Sequence, residues 1–317
     1  MKTAISKALW PLLAALVTLV ALAGACGGGE EVPPQAASQS PSSGPPFPVA
    51  LTDSDGKQVT LTTAPQRIVA LAPSFVETLY AVGAGDSIVA VDENTDLPKE
   101  AAAKPKLSGF NPSVEEIAAQ NPDLVIISFD PGGLRESLER LGIKVLNLSS
   151  PESVEATFGQ IELLGSATGH LDDAHRVITE MRGRIDAVTV KLADVEQGPT
   201  VFHEIDSTYY TAGPGSFVDD LYKTLKARNI ADGTGKPYPQ MDVEEIIKAN
   251  PQVIILADMD AGESPQTVAS RSGWSQIAAV RDGRVYTVDP NIVSQPGPRL
   301  VEALEALACL LYPERFR

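Results

Sequence analysis

A stretch of fifteen residues occurs twice in this chain, and the repeat limits the folds that the sequence can adopt. Residues 113–127 read SVEEIAAQNPDLVII, and residues 242–256 read DVEEIIKANPQVIIL. Each copy combines a helix-capping residue, a helix start, an Asn-Pro helix end and a β-branched strand. A match over all four features indicates two domains that are built alike.

Short β-branched runs alternate with helical patterns from Arg67 onward, which is typical of an α/β fold with mainly parallel strands. We therefore expect two similar Rossmann-like lobes with a ligand cleft between them. Three helix starts carry a capping residue three positions before a glutamate. These predicted pairs are Ser74 with Glu77, Ser113 with Glu116, and Asp242 with Glu245.

Apolar residues recur at steps of three and four between Leu171 and Val195, and they predict one long amphipathic helix. Its length suits a rigid connection between the lobes better than a hinge loop. The predicted boundaries are 49–166 for the amino-terminal lobe, 167–197 for the inter-lobe helix and 198–317 for the carboxyl-terminal lobe.

The first residues have the layout of a secretory signal. Lys2 and Lys7 precede an apolar stretch, and small residues follow that stretch before Cys26. A retained membrane-spanning helix is the alternative, although Pro11 and the short length argue against it. We predict a signal peptide over 1–25 and, from the proline, glycine and serine content, a disordered tether over 26–48.

Acidic residues outnumber basic ones by 41 to 25, so the net charge of −16 makes nucleic acid an unsuitable partner. Two cysteines and three histidines cannot supply a disulfide framework or a cysteine-rich zinc site. We expect Cys309 to be buried in a helix. The motifs of hydrolases, phosphate loops and dinucleotide sites are missing from the sequence, so we expect no enzyme and no intrinsic cofactor.

Two alternatives from other functional classes remain open at this point. A metal-dependent hydrolase would depend on His203 and Glu204, and its metal content would identify it. A purely structural surface lipoprotein would show no ligand that protects it against unfolding.

Ligands of α/β sheets bind at the carboxyl ends of the strands, which selects the loops that follow the predicted strands. Candidate ligand-binding residues in these loops are Pro73, Ser74, Asn94, Phe110, Phe129, Tyr209, Tyr210, Tyr238 and Gln295. Aromatic side chains at such positions indicate a flat, partly apolar ligand. By contrast, we expect Trp274 and Tyr286 to belong to the core.

The chain resembles a family, the substrate-binding proteins of ABC importers for vitamin B12 and ferric siderophores, from about Gln66 to its end. The stretches that carry the resemblance are PQRIVALAPSFVETLYAVGAGDSIVAVD, PSVEEIAAQNPDLVII, YPQMDVEEIIKANPQVIIL, AAVRDGRVYTVD and PGPRLVEALEALACLLYPERF. The segments PYPQ and PGPR are similar to those of the cobalamin-binding members. The amino terminus resembles a bacterial lipoprotein signal, which implies lipidation of Cys26.

This resemblance implies a monomeric receptor, anchored by lipid at the extracytoplasmic face of a bacterial membrane, that binds a corrinoid between its lobes. A ferric siderophore or haem is the alternative ligand. The implied partner is an ABC permease dimer with its ATPase subunits. Glu115 and Glu244 fall at the second helical position of the two repeats, where the helix dipole favours a carboxylate. In the family, one such glutamate on each lobe meets arginines of the permease.

Overall fold

The computed structural model describes residues 47–316. The predicted signal peptide (1–25), Cys26 and the tether up to residue 46 lie outside the described residues. The elements of the amino-terminal lobe are β1 (Val49–Thr52), β2 (Gln58–Leu61), β3 (Ile68–Ala70), α1 (Pro73–Ala81), β4 (Ile88–Asp92), α2 (Lys99–Ala102), β5 (Lys106–Leu107), α3 (Val114–Ala119), β6 (Leu124–Ile127), α4 (Leu134–Arg140) and β7 (Lys144–Asn147). Strands β1 and β2 form an antiparallel hairpin, and the other strands form a parallel sheet in the order β5-β4-β3-β6-β7.

Two helices, α5 (Val154–Thr168) and α6 (Leu171–Val190), connect the two sheets along the chain. The left-handed conformation of Gly169, with φ of 80°, ends α5 and turns the chain into α6. Helix α6 begins where the sequence predicts, but it ends at Val190 rather than Val195. Its 20 residues span about 30 Å.

The carboxyl-terminal lobe repeats the parallel architecture with a smaller sheet. Its elements are β8 (Thr200–Glu204), α7 (Phe217–Thr224), β9 (Arg228–Asn229), α8 (Val243–Ala249), β10 (Val253–Leu256), α9 (Pro265–Ser270), α10 (Ala278–Arg281), β11 (Val285–Thr287), α11 (Pro290–Val293) and α12 (Leu300–Leu311). The strand order is β11-β10-β8-β9, and every pairing is parallel. The predicted α/β fold with two similar lobes is confirmed.

The sequence repeat corresponds to equivalent structural units, α3 followed by β6 and α8 followed by β10. The asparagines that end these helices have nearly the same left-handed backbone, with φ of 49° at Asn121 and 48° at Asn250. Left-handed asparagine is a common way to end a helix. The repeat therefore encodes the same turn from helix to strand in both lobes.

The predicted helix caps have three different outcomes. The Ser113 hydroxyl accepts a hydrogen bond from the Glu116 amide, as predicted. Asp242 stands at the capping position of α8, but within residues 47–316 its side chain makes no capping hydrogen bond. The predicted cap at Ser74 is wrong, because α1 begins at Pro73 and Ala72 is the capping residue. Proline suits a first helical position, since it lacks the amide hydrogen that would stay unpaired there.

One hydrophobic core continues through both lobes. Alternate residues of β6, such as Leu124 and Ile126, and of β10, such as Val253 and Ile255, contribute to a cluster that also contains α5, α6 and α12. The intervening strand residues face a second cluster in the amino-terminal lobe and a third in the carboxyl-terminal lobe. Strands β6 and β10 are thus buried on two faces, which explains their continuous apolar sequence.

Two of the predicted core residues behave as expected. Trp274 is fully buried, and Tyr286 packs against the shared core. The prediction for Cys309 is wrong, because this cysteine lies on the exposed side of α12. Apolar neighbours in the sequence did not reveal which side of the helix it occupies. None of the helices within residues 47–316 has both the length and the apolar character needed to cross a bilayer.

Candidate functional site

The candidate ligand-binding residues follow the strands of the two sheets, and several of them meet between the lobes. Pro73 follows β3, Asn94 follows β4, and Gln295 belongs to the segment after α11. The carboxyl ends of parallel strands lie at the same edge of a sheet, which brings loops from different parts of the chain together. This arrangement creates two neighbouring cavities at the boundary between the lobes.

The larger of these two cavities, of about 240 Å³, lies between α1 and the Ser294–Pro296 segment. Serine hydroxyls and the Gln295 amide are its main polar groups. Its lining residues are Ala72, Pro73, Ser74, Phe75, Ser128, Ser150, Ser294, Gln295 and Pro296. A site of this kind can hydrogen-bond an uncharged polar ligand.

The smaller cavity, of about 160 Å³, shares Pro73 and Gln295 with the larger one. Four of its nine lining residues are charged, three acids and one arginine. Its lining residues are Pro73, Glu77, Asn94, Asp96, Leu97, Asp289, Asn291, Gln295 and Arg299. Across the two cavities the structure therefore brings four of the candidate residues together: Pro73 and Gln295 line both, Ser74 lines the larger one and Asn94 the smaller one.

Gln295 has an unused hydrogen-bonding group at the meeting point of the two cavities. Its side-chain nitrogen donates to Asn291 over 3.3 Å. Its side-chain oxygen is buried, and within the described part of the chain it has no hydrogen-bond partner. A buried polar atom without a partner is costly, so this oxygen can accept a hydrogen bond from a ligand.

The five aromatic candidates are not among the described residues that line these two cavities. Phe110 is 83% exposed, and its ring centre lies 6.2 Å from that of Phe129. Tyr210 and Tyr238 are also exposed, on the other lobe. Each lobe thus presents aromatic surface in the loops that follow its strands.

Tyr209 differs from the other aromatic candidates because it is anchored inside its lobe. Its ring centre lies 5.7 Å from that of Trp274, and its backbone has a positive φ of 69°. The guanidinium of Arg271 lies over both rings, 4.6 Å from Trp274 and 5.4 Å from Tyr209. Tyr209 is partly buried as a consequence, while its neighbour Tyr210 is exposed.

A charge cluster around Arg271 was not predicted from the sequence. The guanidinium forms a bidentate pair with Glu204, with Nη1 2.6 Å from Oε2, and a second contact of 2.8 Å with Glu263. Burial raises the pKa of Glu204 to about 7, although Arg271 opposes this shift. The available signal was a glutamate at the end of the buried strand β8.

His203 and Glu204, the residues on which a hydrolase would depend, have other partners. The Nδ1 atom of His203 lies 2.7 Å from the hydroxyl of Tyr222 in the core. Burial lowers the pKa of His203 to about 4, which keeps the ring neutral at pH 7. Among the residues that the structure describes, no group of histidine, cysteine and acidic side chains is arranged to hold a metal ion.

Glu115 and Glu244 occupy the second position of α3 and of α8, and both side chains are exposed. Both helices follow short strands, so their first turns lie on the side of the sheets where the strands end. The Ser113 hydroxyl donates to the Glu115 carboxylate over 3.1 Å. The two lobes therefore present an acid at equivalent places.

Comparisons with known proteins agree with this architecture. Residues 68–292 match the family described as periplasmic binding protein. The chain is 34% identical over 281 residues to the ABC transporter substrate-binding lipoprotein YvrC of Bacillus subtilis, covering 86% of this chain and 88% of that protein. It is 30% identical over 276 residues to a cobalamin-binding protein of Halobacterium salinarum, covering 83% and 73%.

The fold is also similar to a solved structure, that of a possible iron-binding periplasmic solute-binding protein from Staphylococcus epidermidis. The TM-score is 0.69 and the sequence identity is 29%. The match covers 79% of this chain and all of that chain.

Proposed function

Because the chain belongs to the periplasmic binding protein family, as a substrate-binding protein of an ABC importer, we propose that it captures a corrinoid between its two lobes and delivers it to the permease. The observation that carries this proposal is the pair of cavities that meet at Pro73 and Gln295. Both lobes contribute to their walls, so a ligand there would contact both lobes at once.

The chemistry of the site supports a corrinoid. A corrinoid is a large macrocycle with amide groups around its rim, and the cavities of about 240 and 160 Å³ would hold parts of that rim, where their hydroxyl and amide groups could hydrogen-bond it. The exposed rings of Phe110, Phe129, Tyr210 and Tyr238 add apolar surface at the strand ends. A relative in Halobacterium salinarum is named a cobalamin-binding protein.

A ferric siderophore or haem is the second candidate ligand. It is supported by the similar structure from Staphylococcus epidermidis, which is described as possibly iron-binding. Such ligands commonly carry carboxylates or other acidic groups. The acids Glu77, Asp96 and Asp289 beside the cavities disfavour an anionic ligand.

Titration of the purified protein with cobalamin, cobinamide, haem and ferric siderophores tests the choice of ligand. We expect the corrinoids to change absorbance and raise the melting temperature at lower concentrations than haem or the ferric siderophores do. At a hundredfold excess over Kd, a ligand stabilises the folded state by about 2.7 kcal/mol. If corrinoids fail to bind while haem or a siderophore binds tightly, the second candidate replaces the first.

Glu115 and Glu244 are proposed to dock on arginines of the permease dimer, which works with its ATPase subunits. Each exposed ion pair contributes only about 0.2–1 kcal/mol, so the acids would orient the complex and speed association. Reversal of both to lysine should abolish uptake and leave ligand affinity unchanged. The double variant Glu136→Lys and Glu180→Lys is the control, since it makes the same charge change on α4 and α6. If the variant with both Glu115 and Glu244 reversed to lysine shows normal uptake, these two acids do not dock on the permease.

The proposed location is the extracytoplasmic face of a bacterial membrane, where lipid on Cys26 would anchor a monomer. The chain is similar to YvrC, which is named a substrate-binding lipoprotein. Replacement of Cys26 by serine should release the protein from the membrane fraction and stop the incorporation of labelled fatty acid. If this variant still incorporates the labelled fatty acid, the proposal that Cys26 is lipidated is wrong.

A further inference from the structure

Acidic side chains outnumber basic ones in the lining of the smaller cavity between the lobes. Three acids, Glu77, Asp96 and Asp289, contribute to its walls. Arg299 is the one cationic side chain among the described residues that line it. The ability of this cavity to hold an anion therefore depends on whether the Arg299 guanidinium is available.

Arg299 is already paired with two carboxylates. Its Nε atom lies 3.0 Å from Oε2 of Glu302, and its Nη1 atom lies 3.6 Å from Oε1 of Glu77. These acids differ in position, because Glu302 lies in the first turn of α12, directly after Arg299, whereas Glu77 belongs to α1 of the other lobe. The Glu77–Arg299 pair thus crosses the boundary between the lobes.

The two acids also differ in exposure. The Glu77 side chain is 11% exposed and the Glu302 side chain 43% exposed. Solvent screens a charge less where the surroundings are buried, so Glu77 has the stronger influence on the potential inside the cavity. Glu302 lies toward solvent and is not among the residues that line the cavity.

We propose that Glu77 is a specificity-determining residue: it neutralises Arg299 at the wall of the cavity and thereby excludes ligands that carry carboxylates or other anionic groups. The cavity then favours uncharged or cationic ligands. This inference rests on the proposed function, since it assumes that ligands enter the space between the lobes. It assigns the choice of ligand charge to one side chain of the amino-terminal lobe.

The substitution Glu77→Gln tests this role because glutamine keeps the shape of the side chain and removes its charge. Arg299 would then face the cavity with Glu302 as its remaining acidic partner. We expect the affinity for a ferric citrate-type siderophore and for haem to rise about tenfold, which corresponds to about 1.4 kcal/mol. The gain should shrink as salt is added, because it is electrostatic.

Two further variants separate charge from structure. The double variant Glu77→Gln and Arg299→Gln should lose the gain, since the cation that would bind the anion is missing. Glu302→Gln removes the negative charge that pairs with the same guanidinium on its solvent side. This variant should bind anions with an affinity within about twofold of that of the wild type. Melting temperatures of all variants should be measured first, to exclude a general loss of structure.

The outcomes distinguish this inference from the proposed function. Cyanocobalamin, which carries no net charge, should bind the wild type and Glu77→Gln with the same affinity within about threefold. If cyanocobalamin binds no variant, the corrinoid proposal fails, and the response to anions still decides the role of Glu77. The inference is overturned if Glu77→Gln binds the anionic ligands no better than the wild type, or if the double variant keeps the gain.

Discussion

Asn121 and Asn250 hold the same backbone conformation at equivalent places, and they differ in what their side chains do. The Asn250 side-chain oxygen accepts a hydrogen bond of 2.8 Å from the amide of Ala278. The Asn121 side chain donates to the nearby carbonyl of Ala119 over 3.3 Å. One asparagine therefore ends a helix only, whereas the other also fixes the start of α10.

Replacement of each asparagine by alanine should reveal this difference. Both variants place alanine in the left-handed backbone conformation, which asparagine tolerates better. This change should lower the free energy of unfolding by about 1 kcal/mol in each variant. Asn250→Ala also leaves the Ala278 amide without its partner, which adds about 1–3 kcal/mol. Urea unfolding should thus find Asn250→Ala less stable than Asn121→Ala. Equal stabilities would show that the bond to Ala278 contributes nothing.

Glu204 links the stability of the protein to pH. Burial raises its pKa from 4.5 to about 7, so between these values the folded state holds a proton that the unfolded chain releases. Protonated Glu204 stabilises the folded state fully below pH 4.5, and this stabilisation is lost as the pH rises through 7. The free energy of unfolding should therefore decrease, by on the order of 1–3 kcal/mol, between pH 5 and 7.5.

The variant Glu204→Gln isolates this contribution. Its free energy of unfolding should change less between pH 5 and 7.5 than that of the wild type, because the titrating group is gone. Chemical unfolding at a series of pH values measures both slopes. An identical slope in the two proteins would assign the pH dependence to other acids, such as Asp258, whose pKa burial also raises.

At the scale of elements, the packing of α5 on α6 depends on Gly165. A Cβ atom at this position would lie 2.5 Å from Cβ of Ala174 and 3.0 Å from the carbonyl oxygen of His170. The close approach of the helices requires the absence of a side chain there. Gly159, on the same helix, has open space around it, since a Cβ would meet nothing within 4 Å.

These two glycines form a matched pair for mutation to alanine. Gly165→Ala should destabilise the protein by about 1–3 kcal/mol, because the helices must move apart. Gly159→Ala should stabilise it by about 0.5–1 kcal/mol, since alanine favours the helix. Differential melting measurements test both signs. A neutral Gly165→Ala would contradict the tight packing between the connecting helices.

The sequence predicted these elements unevenly, for physical reasons. Periodicity located α6, because apolar spacing reflects burial directly, and the match between residues 113–127 and 242–256 located the equivalent helix and strand of both lobes. The end of α6 at Val190, the start of α1 at Pro73 and the exposure of Cys309 depend on local capping and on which face of a helix packs. Such details are decided by tertiary contacts that residue spacing does not contain.

The same limit applies to the candidate site. Position after a strand suggested Pro73, Ser74, Asn94 and Gln295 as ligand-binding residues, a role that stays a prediction, and the structure places these four at the two cavities between the lobes. It did not distinguish Tyr209, which packs on Trp274, from the exposed Tyr210 beside it. The contact between Glu77 and Arg299 joins residues far apart in sequence, and no local pattern predicts it.

At the scale of the whole molecule, the continuous core opposes a large movement of the lobes. Helices α5, α6 and α12 share one apolar cluster with both sheets, and opening the cleft widely would expose it. We therefore expect ligand binding to leave the radius of gyration unchanged within the error of small-angle X-ray scattering. A clear decrease on addition of ligand would instead indicate closure about a hinge.

Isothermal titration calorimetry with cobalamin, applied to the wild type, Ser74→Trp and Ala187→Trp, tests most directly whether the ligand binds between the lobes. Tryptophan at Ser74 would fill the larger cavity, whereas Ala187 is exposed on α6. The wild type and Ala187→Trp should bind one cobalamin with micromolar or tighter affinity, and Ser74→Trp should bind about 100-fold more weakly at an unchanged melting temperature. Undiminished binding by Ser74→Trp, or no binding by the wild type, would contradict the proposal that cobalamin binds between the lobes.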